Sequence, residues 1–306
     1  MKKIKIQAPA TVANLVCGFD ILGMAINAPF DEMEFELSEN PGVRITHTDD
    51  FGLPEAAEKN VAGVVILKIF EALGYEKGVE VRIHKNIKPG SGLGSSAASA
   101  AGAAFGINEL LGKPLSNEEL VKFAMFGEEL ASGVQHADNI APCIYGGITL
   151  VKSSHPLDII PLSSPNLFVT AVHPQVEVKT ADARQILKKN IQLKDAVTQW
   201  GNIAGLVAGI LKNDFDLIGR SLTDVIVEPV RSILIPKFDL IKTKALGLGA
   251  LGGGISGSGP SIFMLSETEE TAKEVGEMME FEFNEIGVEN YVYVSKINNS
   301  GIQIVD

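Results

Sequence analysis

The sequence is short of several things at once, and each shortage excludes something. Cysteine is the first: there are 2, Cys17 and Cys143, far apart and with no CxxC pair or metal-ligand spacing around either. Neither a disulfide framework nor a zinc ribbon is written here, and a reduced, intracellular chain is expected. Positive charge is the second. Lys and Arg number 26 against 38 Asp and Glu, a formal net charge of −12, which opposes sequence-independent binding to nucleic-acid phosphates or to anionic lipid. Long apolar runs are the third. The opening MKKIKIQAPA has basic residues, but alternation and Pro9 replace the apolar core of a secretory signal, and no stretch approaches the roughly 18 apolar residues of a membrane helix. A cytoplasmic protein without nucleic-acid or membrane partners is the expectation. A Walker A pattern, GxxxxGK[ST], is missing too, so the lysine that P-loop enzymes place on phosphate has no counterpart.

What is present is ordinary in size and unusual in glycine. The 306 residues are 45% hydrophobic and 21% charged, enough for a substantial core in two domains. Period-2 apolar positions mark strands at Ile4 and Ile6, at Met33, Phe35 and Leu37, and at Val79, Val81 and Ile83, as half-buried strands require. Helical patterns run over Asn60–Leu73, Ser96–Leu111 and Asn117–Ser132, each followed by a glycine, and Ser116 with Glu119 has capping-box spacing. In the second half, Leu167–Val172, Ser261–Leu265 and Tyr291–Lys296 read as strands. Ala181–Lys189, Ala196–Lys212, Asp214–Val225, Phe238–Leu246 and Glu269–Ile286 read as helices. With no regular βαβ repeat this is an α+β chain with mainly antiparallel sheets. A Ser- and Pro-rich stretch over 152–165 places a boundary between domains 1–160 and 161–306.

The 31 glycines cluster. PGSGLGSSAAS, Pro89 to Ser99, lies between the third strand and a run of small residues suited to a helix. Glycines let the backbone approach a ligand, and a helix start offers unpaired N–H groups, so this combination makes a phosphate cradle. Ser95 and Ser96 could cap the helix, touch phosphate or ligate Mg²⁺. A second segment, GLGALGGGISGSG from Gly247 to Gly259, matches GxGxxG twice. It follows a helix and precedes a strand, the reverse of a dinucleotide fingerprint, and reads instead as a loop that approaches a ligand or packs on the first. A third, GFDILG, holds Asp20 in a turn.

Projection of Asn117–Ser132 at about 100° per residue puts Glu128 on the apolar stripe with Val121 and Ala124, and Glu129 away from it. A carboxylate on that stripe is costly unless paired or metal-bound, which makes Glu128 a candidate Mg²⁺ ligand. Beyond it, GVQHADNIAPCIYGG crowds His136, Asp138 and Asn139 into one loop. A single histidine is a weak metal signal, so a substrate-contacting loop is the better reading; His47, His84, His155 and His173 read as structural or surface residues.

Four segments in this order resemble the GHMP kinases: APATVANLVCGFDILGMAI, PGSGLGSSAAS, the GVQHADN loop and GISGSGPSIF. The likeness spans nearly the whole chain. The first segment and HADNIAP, with Thr180, Arg184 and Arg231, are most similar to the members that phosphorylate L-homoserine. The resemblance implies a two-lobed α+β fold, with an N-terminal lobe like ribosomal protein S5 domain 2 and a ferredoxin-like C-terminal lobe. It implies ATP and Mg²⁺ as cofactors, transfer of the γ-phosphoryl group to the hydroxyl of L-homoserine on the route to threonine, and a homodimer. Carried over residue by residue, Asn60 would meet the adenine. Lys85 and Pro89, Gly90, Ser91, Gly92, Leu93, Gly94, Ser95, Ser96, Ala97, Ala98 and Ser99 would embrace the phosphates, and Ser96 with Glu128 would hold Mg²⁺. Asn14, Asp20, His136, Asn139, Thr180, Arg184 and Arg231 would bind the amino acid. Two arginines suit its carboxylate and Asp20 its ammonium. Relatives acting on mevalonate or galactose use an aspartate near this loop as base; here Asp138 and Asn139 both stand, with in-line transfer and Asn139 orienting the hydroxyl as the working reading. A mevalonate-type acceptor, or a silent nucleotide-binding protein of the same fold, is the alternative.

Overall fold

The structure, a computed structural model, describes residues 2–178 and 180–305, apart from the side chains of 180–182. Alternation produces the first sheet. β1 (Lys3–Ala13), β2 (Leu22–Ser38) and β3 (Gly42–His47) precede helix α1 (Val61–Leu73), and β4 (Gly78–His84) follows it. In β4 and in β2 from Pro29 to Phe35 every second side chain is buried, Met33 and Phe35 facing the same interior as Val79, Val81 and Ile83. Then come α2 (Ser95–Leu110), α3 (Asn117–Ser132), α4 (Ile140–Tyr145) and the hairpin β5 (Ile148–Ser154) and β6 (Leu157–Leu162).

Local chemistry sets the helix ends as expected. Asn60 caps α1 by accepting from the N–H groups of Ala62 and Gly63, and Gly74 ends it at φ 61°. Ser116 and Glu119 close a capping box on α3, which Gly133 ends at φ 78°. Small residues let α2 lie directly on β1 and β2. A Cβ on Gly106 would come within 2.4 Å of the Phe35 ring, and one on Gly102 within 2.5 Å of the Met33 sulfur.

The second lobe continues with β7 (Phe168–Pro174), α5 (Thr180–Gln185), α6 (Leu193–Lys212), α7 (Phe215–Ser221) and α8 (Glu228–Arg231). It closes with α9 (Phe238–Gly247), β8 (Gly252–Ile255), β9 (Ile262–Ser266), α10 (Glu269–Asn284) and β10 (Asn290–Lys296), after which β11 (Gln303–Val305) returns to the first sheet. The strands form a seven-stranded sheet in the order β11-β1-β2-β4-β3, extended by β5 and β6, and a four-stranded sheet in the order β10-β7-β9-β8. All pairings are antiparallel except β3 with β4. The chain is thus α+β.

Three expectations change. The helix expected to reach Lys189 ends at Gln185, and the next apolar position, Ile186, is left exposed, so a longer helix would have no face to bury. The helix expected to reach Val225 ends at Ser221, because the Asp224 carboxylate accepts from the N–H groups of Ile226, Val227 and Glu228 and folds that segment as a turn. The boundary at residue 160 falls inside β6, so the first sheet runs on to Leu162, and β11 returns to pair with β1 at the far end of the chain.

The α2 contact generates a test with an internal control. Gly106→Ala should lower stability by about 1–3 kcal/mol through overpacking against Phe35. Gly201→Ala, at a helical position with open space around it, should leave stability unchanged or raise it by up to about 1 kcal/mol. Urea denaturation of both variants measures the difference.

Candidate active site

The glycine-rich segment between β4 and α2 has the backbone its composition asks for. Gly90, Gly92 and Gly94 lie at φ 78°, 81° and 69°, a region that L side chains rarely enter. Gly94 is the N-cap of α2 and supplies no side-chain cap, so the first N–H groups of that helix are left for a ligand. Beneath the loop the Lys85 side chain is almost wholly buried. Its ammonium pairs with Asp31 and donates to the Ser95 carbonyl at 2.9 Å and to Ser99 Oγ at 2.8 Å. All three of its donors are therefore spent on protein. The Asp31 carboxylate in turn accepts from the N–H groups of Asn86 and Ile87.

The second glycine segment clamps this loop from the other lobe. Ser256 Oγ donates to the Gly92 carbonyl at 2.7 Å and the Ser261 N–H to that of Ser91 at 3.2 Å. A Cβ on Gly92 would stand 2.7 Å from the carbonyl oxygens of Ser256 and Gly259. Gly252–Ile255 is a strand that turns at 256–259 into β9, so its GxGxxG matches open no helix and make no dinucleotide site.

One cavity of about 400 Å³ joins the glycine-rich loop to the loop after α3 and to residues of the second lobe. Asn14, Asp20, Asn60, Lys85, Pro89, Gly90, Gly92, Gly94, Ser95, Ser96, Ser99, Glu128, His136, Asp138, Asn139, Arg184 and Arg231 line it. Ser91, Leu93, Ala97 and Ala98 are buried beside it and do not line it. Thr180 starts α5, but its side chain lies outside the described residues.

The carboxylates differ by environment. Glu128 is buried with Oε1 unpartnered. Burial pushes its carboxyl above the usual range, while a hydrogen bond with Ser96 pulls the other way. Glu129 is exposed, as expected, and accepts from Gln135. Asp138 is buried and pushed up to about 7, first by desolvation and then by the charges of Asp20 and Glu128. Its neighbour Asn139 accepts from Thr11 Oγ1 at 2.7 Å, which leaves the amide nitrogen without a partner among the described residues.

At the other end Asp20 accepts two bonds from Arg184 Nη2, at 2.9 and 3.2 Å, and His136 Nε2 lies 2.9 Å from the same nitrogen. Burial lowers the His136 pKa, in keeping with a neutral ring that accepts from Arg184. Arg231 donates to the carbonyls of Ala183 and Gly257, and Asn14 donates to Gly257 and accepts from the Asp20 N–H. Asn14, Leu15 and Val16 all have positive φ, 72°, 40° and 65°. Strain of this kind survives only where surrounding bonds over-determine it.

The structure also brings in residues that the sequence reading passed over. His47, read as structural or surface, lines the cavity and sits 3.1 Å from the Asn60 amide nitrogen. Lys59, Leu53, Pro54 and Phe19 line it as well. Nothing in their spacing distinguishes them from an ordinary loop. Asn60 spends its amide on capping α1 and on Pro54 and His47, so it shapes that end of the cavity chiefly through the helix start.

With this geometry in view, comparison with known proteins is direct. Residues 60–147 match the model of the GHMP kinases N terminal domain and residues 206–285 that of the GHMP kinases C terminal domain. The chain belongs to the GHMP kinases. It is similar to a homoserine kinase of Chlorobium phaeobacteroides (strain DSM 266), 46% identical over the whole of both chains. It is similar also to the crystal structure of homoserine kinase from Cytophaga hutchinsonii, with TM-score 0.96 and 53% identity over 100% of this chain and 98% of that one. A mevalonate kinase of L. major shares the fold at TM-score 0.73 and 16% identity, over 97% of this chain and 96% of that one.

Asp138 carries a stability prediction. In the unfolded chain its carboxyl titrates near 4. As pH rises from about 4 to about 7 the native state keeps a proton that the unfolded state has lost, so stability falls across that window. Above about 7 a buried charge remains. Asp138→Asn should therefore stabilise the protein relative to wild type by on the order of 1–4 kcal/mol at pH 8, and by much less at pH 4.5. Thermal melts at the two pH values read the difference.

Proposed function

We infer that the chain transfers the γ-phosphoryl group of ATP to the side-chain hydroxyl of L-homoserine, giving O-phospho-L-homoserine and ADP. The observation that carries this reading is the single cavity. It opens onto an uncapped helix start at one end and onto Asp20, Arg184 and Arg231 at the other. An α-amino acid needs an anion for its ammonium and cations for its carboxylate, and the second end supplies both.

The HADN loop links the ends. Asn139 Oδ1 lies 3.2 Å from where a Cβ on Gly94 would stand, Asp138 feels both Asp20 and Glu128, and His136 touches Arg184. The acceptor hydroxyl is placed here, facing the γ-phosphorus. The acceptor oxygen forms its bond to phosphorus as the bond to the β,γ-bridging oxygen breaks. Asn139 donates its free N–H to the hydroxyl oxygen, and Asp138, poised near neutrality, takes the proton. The N–H groups of α2 meet the charge that moves onto the phosphate oxygens. The spent donors of Lys85 leave that ammonium to act through its field and through the loop it fastens.

The orphaned Glu128 Oε1 beside Ser96 fits a hard cation with oxygen ligands. Among the described residues no group of three or more His, Cys, Asp or Glu could hold a metal. Ser96 and Glu128 would therefore hold Mg²⁺ together with phosphate oxygens and water. A cation held there would neutralise charge on the phosphates.

An ADP-release assay with L-homoserine, L-serine, mevalonate and galactose tests the reading; release with homoserine at the no-acceptor rate would sink it. Asp138→Asn should lower kcat about 10²–10⁴-fold and remove a limb of kcat/KM that rises with pH to about 7. If that variant stays within tenfold of wild type, transfer proceeds without a base, as a loose transition state allows, and Asn139→Ala should then carry the larger loss.

A further inference from the structure

Two like charges stand close together at the acceptor end, and among the described residues only one of them is in a salt bridge. Arg184 is paired with Asp20, while Arg231 donates to the carbonyl oxygens of Ala183 and Gly257 and feels the carboxylates of Asp20, Asp224 and Asp138 without a salt bridge to any of them. Each guanidinium repels the other, and Arg231 is also largely removed from water. One further group touches both. The ring of Phe19 has the Arg231 guanidinium over it at 5.0 Å from the centroid and that of Arg184 at 5.6 Å. Phe19 is half-buried, lines the cavity and belongs to neither hydrophobic core cluster. The turn puts it there: Gly18 precedes it, Asp20 follows at φ 61°, and Asn14 accepts from the Asp20 N–H. A core aromatic would be packed among aliphatic side chains; this one lies under two guanidiniums.

We propose that Phe19 is a positioning residue for acceptor recognition, its ring holding Arg184 and Arg231 side by side so that both reach the acceptor's carboxylate. The electron-rich face offsets the repulsion between the guanidiniums before substrate arrives, and a cation over an aromatic face is held more strongly where water is excluded. The inference rests on the reading of this end as the amino-acid site, and the test separates the two.

The acceptors are L-homoserine and 3-amino-1-propanol, which keeps the ammonium and the reacting hydroxyl and lacks the carboxylate. Wild type should prefer homoserine strongly; equal kcat/KM for the two would overturn the amino-acid reading itself. Given that preference, Phe19→Leu should raise KM for homoserine about 5- to 30-fold, with kcat within about twofold, KM for ATP unchanged and the amino alcohol unaffected. Phe19→Tyr should restore KM to within about threefold. Because Leu could disturb the turn, fluorinated phenylalanines incorporated at position 19 provide an isosteric series, in which KM for homoserine should climb with each fluorine as the ring face loses electron density. A flat fluorine series, or a Leu variant that loses both acceptors and ATP alike, overturns the role assigned to Phe19.

Discussion

Lys85 brings a full charge into the interior, and the glycine-rich loop before α2 is built on it. The ammonium reaches Asp31 from β2 and both Ser95 and Ser99 from the start of α2, while Asp31 holds the backbone that leaves β4. A strand, a loop and a helix start are thereby tied to one point. Buried ion pairs are poor sources of net stability, yet removing one partner costs about 3–5 kcal/mol because the other is stranded. What such a pair secures is geometry: Gly90, Gly92 and Gly94 enter left-handed conformations without steric cost, and fastening both flanks selects that one arrangement from the many glycine allows. Ser256 then fixes the outer side of the same loop through the Gly92 carbonyl, so the cradle is shared between the lobes.

Electrostatics in the cavity is local. The chain carries a net charge of −12, and its site must attract a polyanion and a zwitterion. For these the proposed site offers backbone dipoles at one end and a graded set of side chains at the other. Desolvation separates the carboxyls, since Asp20 keeps an arginine partner while Asp138 and Glu128 are pushed up. Carboxyl groups on one scaffold are thus suited to three tasks by burial and neighbours alone.

How much of this could be seen in the sequence follows from the range of each interaction. The caps of α1 and α3, the alternation in β2 and β4, the glycine loop and the inward face of Glu128 depend on residues a few positions apart, and all were legible. So was the reversed order around Gly247–Gly259, which spoke against a dinucleotide. The end of α7 was not, because it depends on Asp224 bonding forward to the backbone in place of a helix. Lys85 was expected on the phosphates, and only the three-dimensional arrangement reveals Asp31, over fifty residues earlier, occupying its charge. Phe19 and His47 were invisible for the same reason: their meaning lies in what other segments place against them.

The return of β11 to β1 has a consequence for how the molecule is made. Lys5, Ile6 and Gln7 find their partners in Val305, Ile304 and Gln303, so the sheet begun by β1 is completed by a strand that follows the whole of the second lobe. Until then β1 is an open edge, able to pair with another chain. The second lobe is in effect an insertion between two strands of the first, and the nascent N-terminal lobe must wait for it to be synthesised before its own sheet can close.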